Sequence, residues 1–295
     1  MKVLLTAAPP HRRTAVPPHR RTVAPLINIA IFNEIIVMSR FKLTIEYEGT
    51  RYSGWQIQKG GKSIQGEILD ACRDLFEGAE IDFFGAGRTD SGVHALGQVA
   101  HLGVETELLP LKIKYGINDR LPADISVINV EEAHPKFHAR YDAHARSYIY
   151  QISRRRTAFG KKYVWWIKDQ LSLDNMNETV KLFRGLKDFR SFTDEEAEQS
   201  STKTEVFHSA IYDYGDLLLF HVVGNHFLWK QVRRMTGVLV EAGRGNLKPA
   251  DVEGFFRQKS EIPAKLTAPP SGLFLEKVYY RNEELVYTSK PVIRF

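Results

Sequence analysis

The sequence predicts an α+β fold of two similar subdomains with mainly antiparallel sheets flanked by helices. Three observations lead there. From Arg40 onward, runs alternating between apolar and polar residues, which suit half-buried strands, recur among amphipathic helical stripes. Their order is mixed and includes a hairpin signal, unlike the strict strand-helix alternation of a parallel sheet. A second set of elements begins near Ala145, which sets boundaries at 38–144 and 145–285, with 286–295 as a tail.

In the first set, Leu43, Ile45 and Tyr47 fall on one face of a strand over residues 41–48. Ser63 is placed to cap a helix whose apolar stripe runs Ile64, Ile68, Leu69, Cys72, Leu75 and Phe76. Strand-like runs follow at 81–85, 98–104 and 126–130, and a helix follows Pro110 through Leu121. In the second set, residues 147–153 alternate as a strand, and Asp174 is expected to cap a helix carrying Met176, Val180 and Phe183. Residues 206–212 and 217–223 flank a Tyr-Gly-Asp turn and read as a hairpin. Leu228, Val232, Met235 and Leu239 form a helical stripe that ends at Gly243. A further helix starts near Pro249, and Leu273–Tyr280 is the closing strand.

Composition narrows the function classes. Of 295 residues, 43% are apolar and 26% charged, and no stretch is long and apolar enough to cross a membrane. Cys72 is the only cysteine, so neither an intramolecular disulfide nor a Cys-based zinc site can form. This suits a reducing compartment, and a cytoplasmic location is expected. The net charge of +6 is uneven: residues 1–37 hold five basic residues and one acidic, leaving 36 basic and 34 acidic in the rest. A nearly balanced body can bind nucleic acid only through local clustering, for which Arg154, Arg155, Arg156, Lys161 and Lys162 are one candidate stretch. Within residues 1–37, PPHRRT occurs twice without apolar periodicity, and the following apolar run is broken by Asn28, Asn33 and Glu34. That segment is expected to be a disordered extension, an artefact of start-site choice, with Met38 as the true start.

The densest chemical signal is the loop Gly85-Ala86-Gly87-Arg88-Thr89-Asp90-Ser91-Gly92-Val93-His94-Ala95, between two predicted strands. Its glycines permit tight turns and close approach of a ligand. A dinucleotide fingerprint would need a following helix, whereas a strand follows here. His94 and His101 lack the further ligands of a metal site, so no metal or organic cofactor is expected. From residue chemistry alone, Asp90 reads equally as a turn residue and as a catalyst.

Six segments resolve the choice by resemblance. The loop resembles the GRTDAGVHA signature of TruA-type tRNA pseudouridine synthases, with Ser91 in place of alanine. Residues 47–56 (YEGTRYSGWQ) resemble the opening YDGTxxxGWQ, and 137–141 (FHARY) are similar to FHARF. Residues 145–150 match the ARxYxY strand, and 231–237 match the MVRxxxG helix with Gln231 for methionine. Residues 272–275 (GLFL) resemble the closing GLYL. The six occur in family order from Arg40 to about Tyr280.

The resemblance implies isomerisation of uridine to pseudouridine at positions 38–40 of the tRNA anticodon stem-loop, by a homodimer, without cofactor or metal. It implies that the two subdomains join around a central RNA-binding cleft. It maps the catalytic carboxylate onto Asp90, its guanidinium partner onto Arg233, and the active-site tyrosine onto Tyr148. Arg88, Arg140, Tyr148 and Leu275 are the substrate contacts it implies. An ionised Asp90 can attack C6 of the base or C1′ of the ribose, or assist glycosidic cleavage electrostatically. Tyr148 offers a ring to stack on the base and a hydroxyl to take the C5 proton.

Three other readings compete. A non-catalytic RNA-binding protein with RRM-like subdomains would stack bases on Tyr148 and Tyr150, but the RNP-type signature is absent. A glycoside hydrolase needs a second placed carboxylate, and the loop has none. Uracil methylation would use a reactive cysteine, whereas Cys72 lies on the apolar face of a predicted helix.

Overall fold

The computed structural model describes residues 38–194 and 201–294, and the expectations for residues 1–37 lie outside them. Alternating residues build the first strand, β1 (Ser39–Tyr47), and bury Leu43, Ile45 and Tyr47 as their spacing requires. Ser63 accepts a hydrogen bond from the Gly66 amide and caps α1 (Ile64–Leu75), whose stripe packs Ile64, Ile68 and Cys72 into the core. Burial pushes the Cys72 thiol up to about 12, so it is an inert core group. Then come β2 (Asp82–Gly85), β3 (His94–Val104), α2 (Pro110–Asn118) and β4 (Ile125–Glu132).

The second set comprises β5 (Ala143–Ser153), β6 (Trp165–Trp166), α3 (Leu173–Lys181), β7 (Gly185–Asp188), β8 (Lys203–Tyr214) and β9 (Leu217–Gly224). After it come α4 (Gln231–Gly243), α5 (Pro249–Arg257), α6 (Ile262–Lys265) and β10 (Leu273–Tyr280). The cap of α3 differs from expectation. Ser172 accepts from the Asn175 amide, while Asp174 sits in the first turn, where its charge favours the helix dipole. Strands β6 and β7 fall outside the sequence-predicted runs: two residues are too few to show a period, and Gly185–Asp188 has no buried face to impose one.

Both sets contribute to one sheet, in the order β4-β1-β3-β10-β5-β9-β8-β7, with β2 paired to β3 and β6 to β5. All pairs are antiparallel except β3–β10 and β5–β6. The two sets therefore join edge to edge rather than forming separate sheets. The last strand makes the join: β10 lies between β3 and β5, opposing Leu275 to Ala95 on one side and to Tyr148 on the other. This register brings the start of β3, and the loop before it, beside the middle of β5.

Helix α4 is buried almost all round and packs tightly against the segment before β10. A Cβ at Gly237 would fall 1.7 Å from the Leu266 carbonyl oxygen, so only glycine allows this approach. His94 is a structural group. Its Nδ1 accepts from the Gly49 amide, and its Nε2 lies 3.1 Å from the Lys162 carbonyl and 3.2 Å from that of Ser271. His101 Nδ1 likewise accepts from the Ala139 amide.

Burial holds the imidazoles of His94 and His101 below the ordinary histidine range, and burial beside His221 and Arg184 brings His208 down to about 4. Since the unfolded chain binds these protons more readily, stability is complete above the unfolded value and falls as pH drops below it. Urea midpoints should be level from about pH 7 to 8 and decline between about pH 6.5 and 5, before carboxylates of ordinary pKa titrate. A midpoint unchanged at pH 5 would contradict neutral imidazoles as fold-stabilising groups.

Candidate active site

A cleft of about 1140 Å³ opens over the centre of the sheet. Small-molecule pockets span roughly 300–1,000 Å³, so this one has room for more than a single nucleotide. Its floor includes Leu275, which is 1% exposed, and its walls come from the 85–93 loop on one side and the segment leading into α4 on the other.

The loop is fixed by hydrogen bonds at nearly every residue. The Ala86 amide donates to the Val99 carbonyl, Gln98 Nε2 to the Gly87 carbonyl, and the Trp55 amide to the Thr89 carbonyl. Thr89 Oγ1 lies 2.8 Å from the buried Tyr47 hydroxyl, and Ser91 Oγ donates to the Tyr52 carbonyl. The Val93 amide closes a turn onto the Asp90 carbonyl, and Gly92 takes the left-handed conformation (φ 77°) that this turn needs. Asp90 is thus a turn residue by backbone, yet its side chain is directed elsewhere. Its Oδ2 accepts from Arg233 Nη1 at 2.8 Å.

Arg233 is itself restrained. Its Nε donates to the Ala268 carbonyl at 2.8 Å, and the Ala268 amide returns a bond to the Arg233 carbonyl. The pair is mostly shielded from water, with side chains 23% and 15% exposed for Asp90 and Arg233. In that setting a buried charge without its partner would be costly, and the guanidinium fixes the direction of the Asp90 side chain.

Tyr148 faces the same cleft, edge-on to Phe227 with ring centroids 5.3 Å apart. Burial pushes its phenol up to about 12, Arg146 opposing the rise and Asp90 adding to it. The hydroxyl is therefore neutral at pH 7, and to act as a base it must pass its own proton onward. Tyr150 is fully buried, and its hydroxyl donates to the Pro269 carbonyl. An open two-tyrosine platform of the RRM kind is therefore not present.

Arg88 and Arg140 line the cleft and are exposed. The Arg154–Lys162 stretch does not line it. Arg154 and Arg155 pair with Asp213 and Asp216, and Arg156 lies over Trp166. The charge that matters is local. Among the described residues, Arg88, Arg140, Arg146, Lys230 and Arg233 line the cleft against a single acid, Asp90. Such a surface suits a polyanion, and the described residues of the cleft do not supply the acid pair of a glycoside hydrolase. Among the described residues, no group of three or more His, Cys, Asp or Glu side chains could hold a metal.

Sequence reasoning did not give Arg146 a role, although it stands in the ARxYxY segment. Its guanidinium donates to four carbonyls, those of Ala86, Arg140, Ala143 and Asn225. It ties the base of the Asp90 loop to β5 and to the turn after β9. Burial lowers its pKa, a sign of a cation held by dipoles rather than by an anion. No periodicity encodes such a contact, since its acceptors are backbone atoms far apart in the chain. Phe227, Trp229 and Lys230 on the facing wall were missed too, being in a loop between elements.

Comparison with known proteins gives the family. Residues 43–142 and 179–281 match the family described as tRNA pseudouridine synthase. The chain is 37% identical over 251 residues to tRNA pseudouridine synthase A of Geobacillus kaustophilus, covering 84% of this chain and 97% of that protein. It is 37% identical over 245 residues to tRNA pseudouridine synthase A of an Exiguobacterium species, covering 83% and 99% respectively. Among solved structures, a chain of the archaeal box H/ACA sRNP Nop10-Cbf5 complex aligns over 81% of this chain and 61% of that one. Its TM-score of 0.34 and 10% identity are too slight to inform the site.

Replacing Arg146 by methionine should lower the unfolding free energy by about 2–4 kcal/mol, because it leaves buried carbonyls unpaired. Lysine cannot reach four acceptors at once and should recover less than half of that loss in urea titrations. Full recovery by lysine would show that charge alone matters.

Proposed function

This chain belongs to the tRNA pseudouridine synthase family, and on that premise we propose that it isomerises uridine at positions 38–40 of the tRNA anticodon stem-loop with Asp90 as catalytic carboxylate. The observation that carries the proposal is the Asp90–Arg233 ion pair at 2.8 Å, in a cationic cleft that also holds Tyr148. The reaction breaks the N1–C1′ bond, turns the uracil and joins C5 to C1′; C5 loses its proton and N1 gains one. Nothing is oxidised and no group is donated from outside. A single oriented anion, a cation to hold it and a ring to seat the base are the parts this requires.

The base must leave its stack before Asp90 can reach it, at a cost of a few kcal/mol. Phosphate contacts from Arg88 and Arg140 supply compensating attraction. Leu275 offers an apolar floor, and the Tyr148 ring a face, for the extruded uracil. Residues 38–144 and 145–285 act as two subdomains around the RNA-binding cleft. Two apolar clusters support this, one around Leu43, Ile45 and Trp55 and the other around Phe183, Phe192 and Met235. Tyr148 packs against both. A homodimer whose two subunits together form the RNA-binding clefts, which the family resemblance implies, and a cytoplasmic location, which the single cysteine suits, complete the proposal.

Asp90→Asn should reduce tritium release from C5-labelled uridine in tRNA by at least about 10³-fold, with tRNA affinity retained. Activity equal to the unsubstituted chain would remove Asp90 from the chemistry.

A further inference from the structure

The segment between β4 and β5 carries Arg140 to the rim of the cleft. Three consecutive amides in it donate to imidazole nitrogens, that of Ala139 to His101 Nδ1 at 3.0 Å and those of Arg140 and Tyr141 to His138 Nδ1 at 3.2 and 3.3 Å. The His138 amide donates to Asp142 Oδ2 at 2.8 Å, and the Asp142 amide returns a bond to the His138 carbonyl. The carbonyls of Ala139 and Arg140 are held from outside the turn, by the Tyr280 hydroxyl and by Arg146 Nη2. Every amide from His138 to Asp142 is thus engaged.

Successive amides that face outward can form a concave nest that takes an anion directly. Here they are directed at ring nitrogens, so an anion at this place must be met by a side chain. Arg140 supplies it. The residue is exposed on the cleft lining, and among the described residues its guanidinium has no hydrogen-bond or ion-pair partner. His138 is the hub of the turn. Its Nδ1 accepts, so that atom carries no proton. Its ring packs against those of Phe84 and Tyr141, with centroids 5.2 and 4.2 Å away. Phe84 adjoins Gly85, where the loop holding Asp90 begins. One half-buried imidazole therefore ties the Arg140 turn to the base of the Asp90 loop.

Resting on the synthase reading above, we infer that His138 is a positioning residue, holding the turn so that Arg140 meets a phosphate of the RNA at the cleft rim. A guanidinium on a wandering turn loses backbone as well as side-chain freedom when it binds. On a fixed turn only the side chain is left to order. Asparagine can replace the imidazole in this role, since its Oδ1 lies about where Nδ1 lies and accepts amides of the residues that follow it. Phenylalanine keeps a ring for packing and loses the acceptor.

The test measures equilibrium affinity for tRNA in full-length protein carrying Asp90→Asn, which permits binding without turnover. Into it go His138→Phe, His138→Asn, Arg140→Ala, and His138→Phe together with Arg140→Ala. Arg140→Ala should weaken binding about 10-fold or more, the loss of one hydrogen bond from a charged group. His138→Phe should weaken it about 3- to 10-fold, while His138→Asn stays within about twofold of its parent. Because His138 acts through Arg140, the double variant should bind no more than about twofold weaker than Arg140→Ala alone. Losses that multiply in the double variant, parent-like binding by His138→Phe or by Arg140→Ala, or equal weakening by the phenylalanine and asparagine variants would each overturn the inference. Melting temperatures identify a variant that fails to fold; if His138→Phe does, His138→Gln, whose oxygen falls at the Nε2 position instead, takes its place in the cycle. The underlying reading is checked apart from this, by pseudouridine formation with the unsubstituted chain. If no tRNA is modified, that reading fails; if tRNA is modified while the two losses multiply, only the positioning role fails.

Discussion

The ion pair between Asp90 and Arg233 is the constraint around which the rest is arranged. Its two halves come from residues 143 positions apart, one on a loop before β3 and one on helix α4. Neither side chain is fully exposed, so each would be a costly isolated charge if the other were displaced by an ångström or two. The protein therefore fixes both. Backbone bonds to Val99 and Trp55 and side-chain bonds from Gln98 and Ser91 hold the loop, while Ala268 and the close contact at Gly237 hold the helix.

The sheet explains why these two pieces meet. The chain's last strand inserts at the middle rather than at an edge, and its register sets Leu275 across from both Ala95 and Tyr148. The loop before β3, the middle of β5 and the approach to α4 are thereby gathered over one spot. Arg146 adds a second tie, from β5 to the loop and to Asn225, using carbonyl dipoles where a carboxylate would have competed for Arg233.

Much of this was legible beforehand, and the reasons differ by element. The strands of residues 41–48 and 273–280 and the α1 stripe announced themselves by periodicity, because one face of each is buried. The 85–95 loop could be identified as chemical only through resemblance: its aspartate is a turn residue and a reactive group at once, and composition does not separate the two. The contacts between distant segments were illegible. Nothing local says that β10 is central or that Arg146 caps four carbonyls. Asp174 was expected to cap α3, but Ser172, which keeps an extended backbone, is the cap, and Asp174 falls within the first turn.

The most direct measurement is single-turnover tritium release with Arg233→Gln, read beside the equilibrium affinity of the same variant for tRNA. Losing the guanidinium that orients Asp90 should slow the chemical step by about 10²- to 10³-fold, with affinity changed by less than about threefold. A chemical step at the original rate, accompanied only by weaker tRNA binding, would contradict the claim that this cation serves the carboxylate.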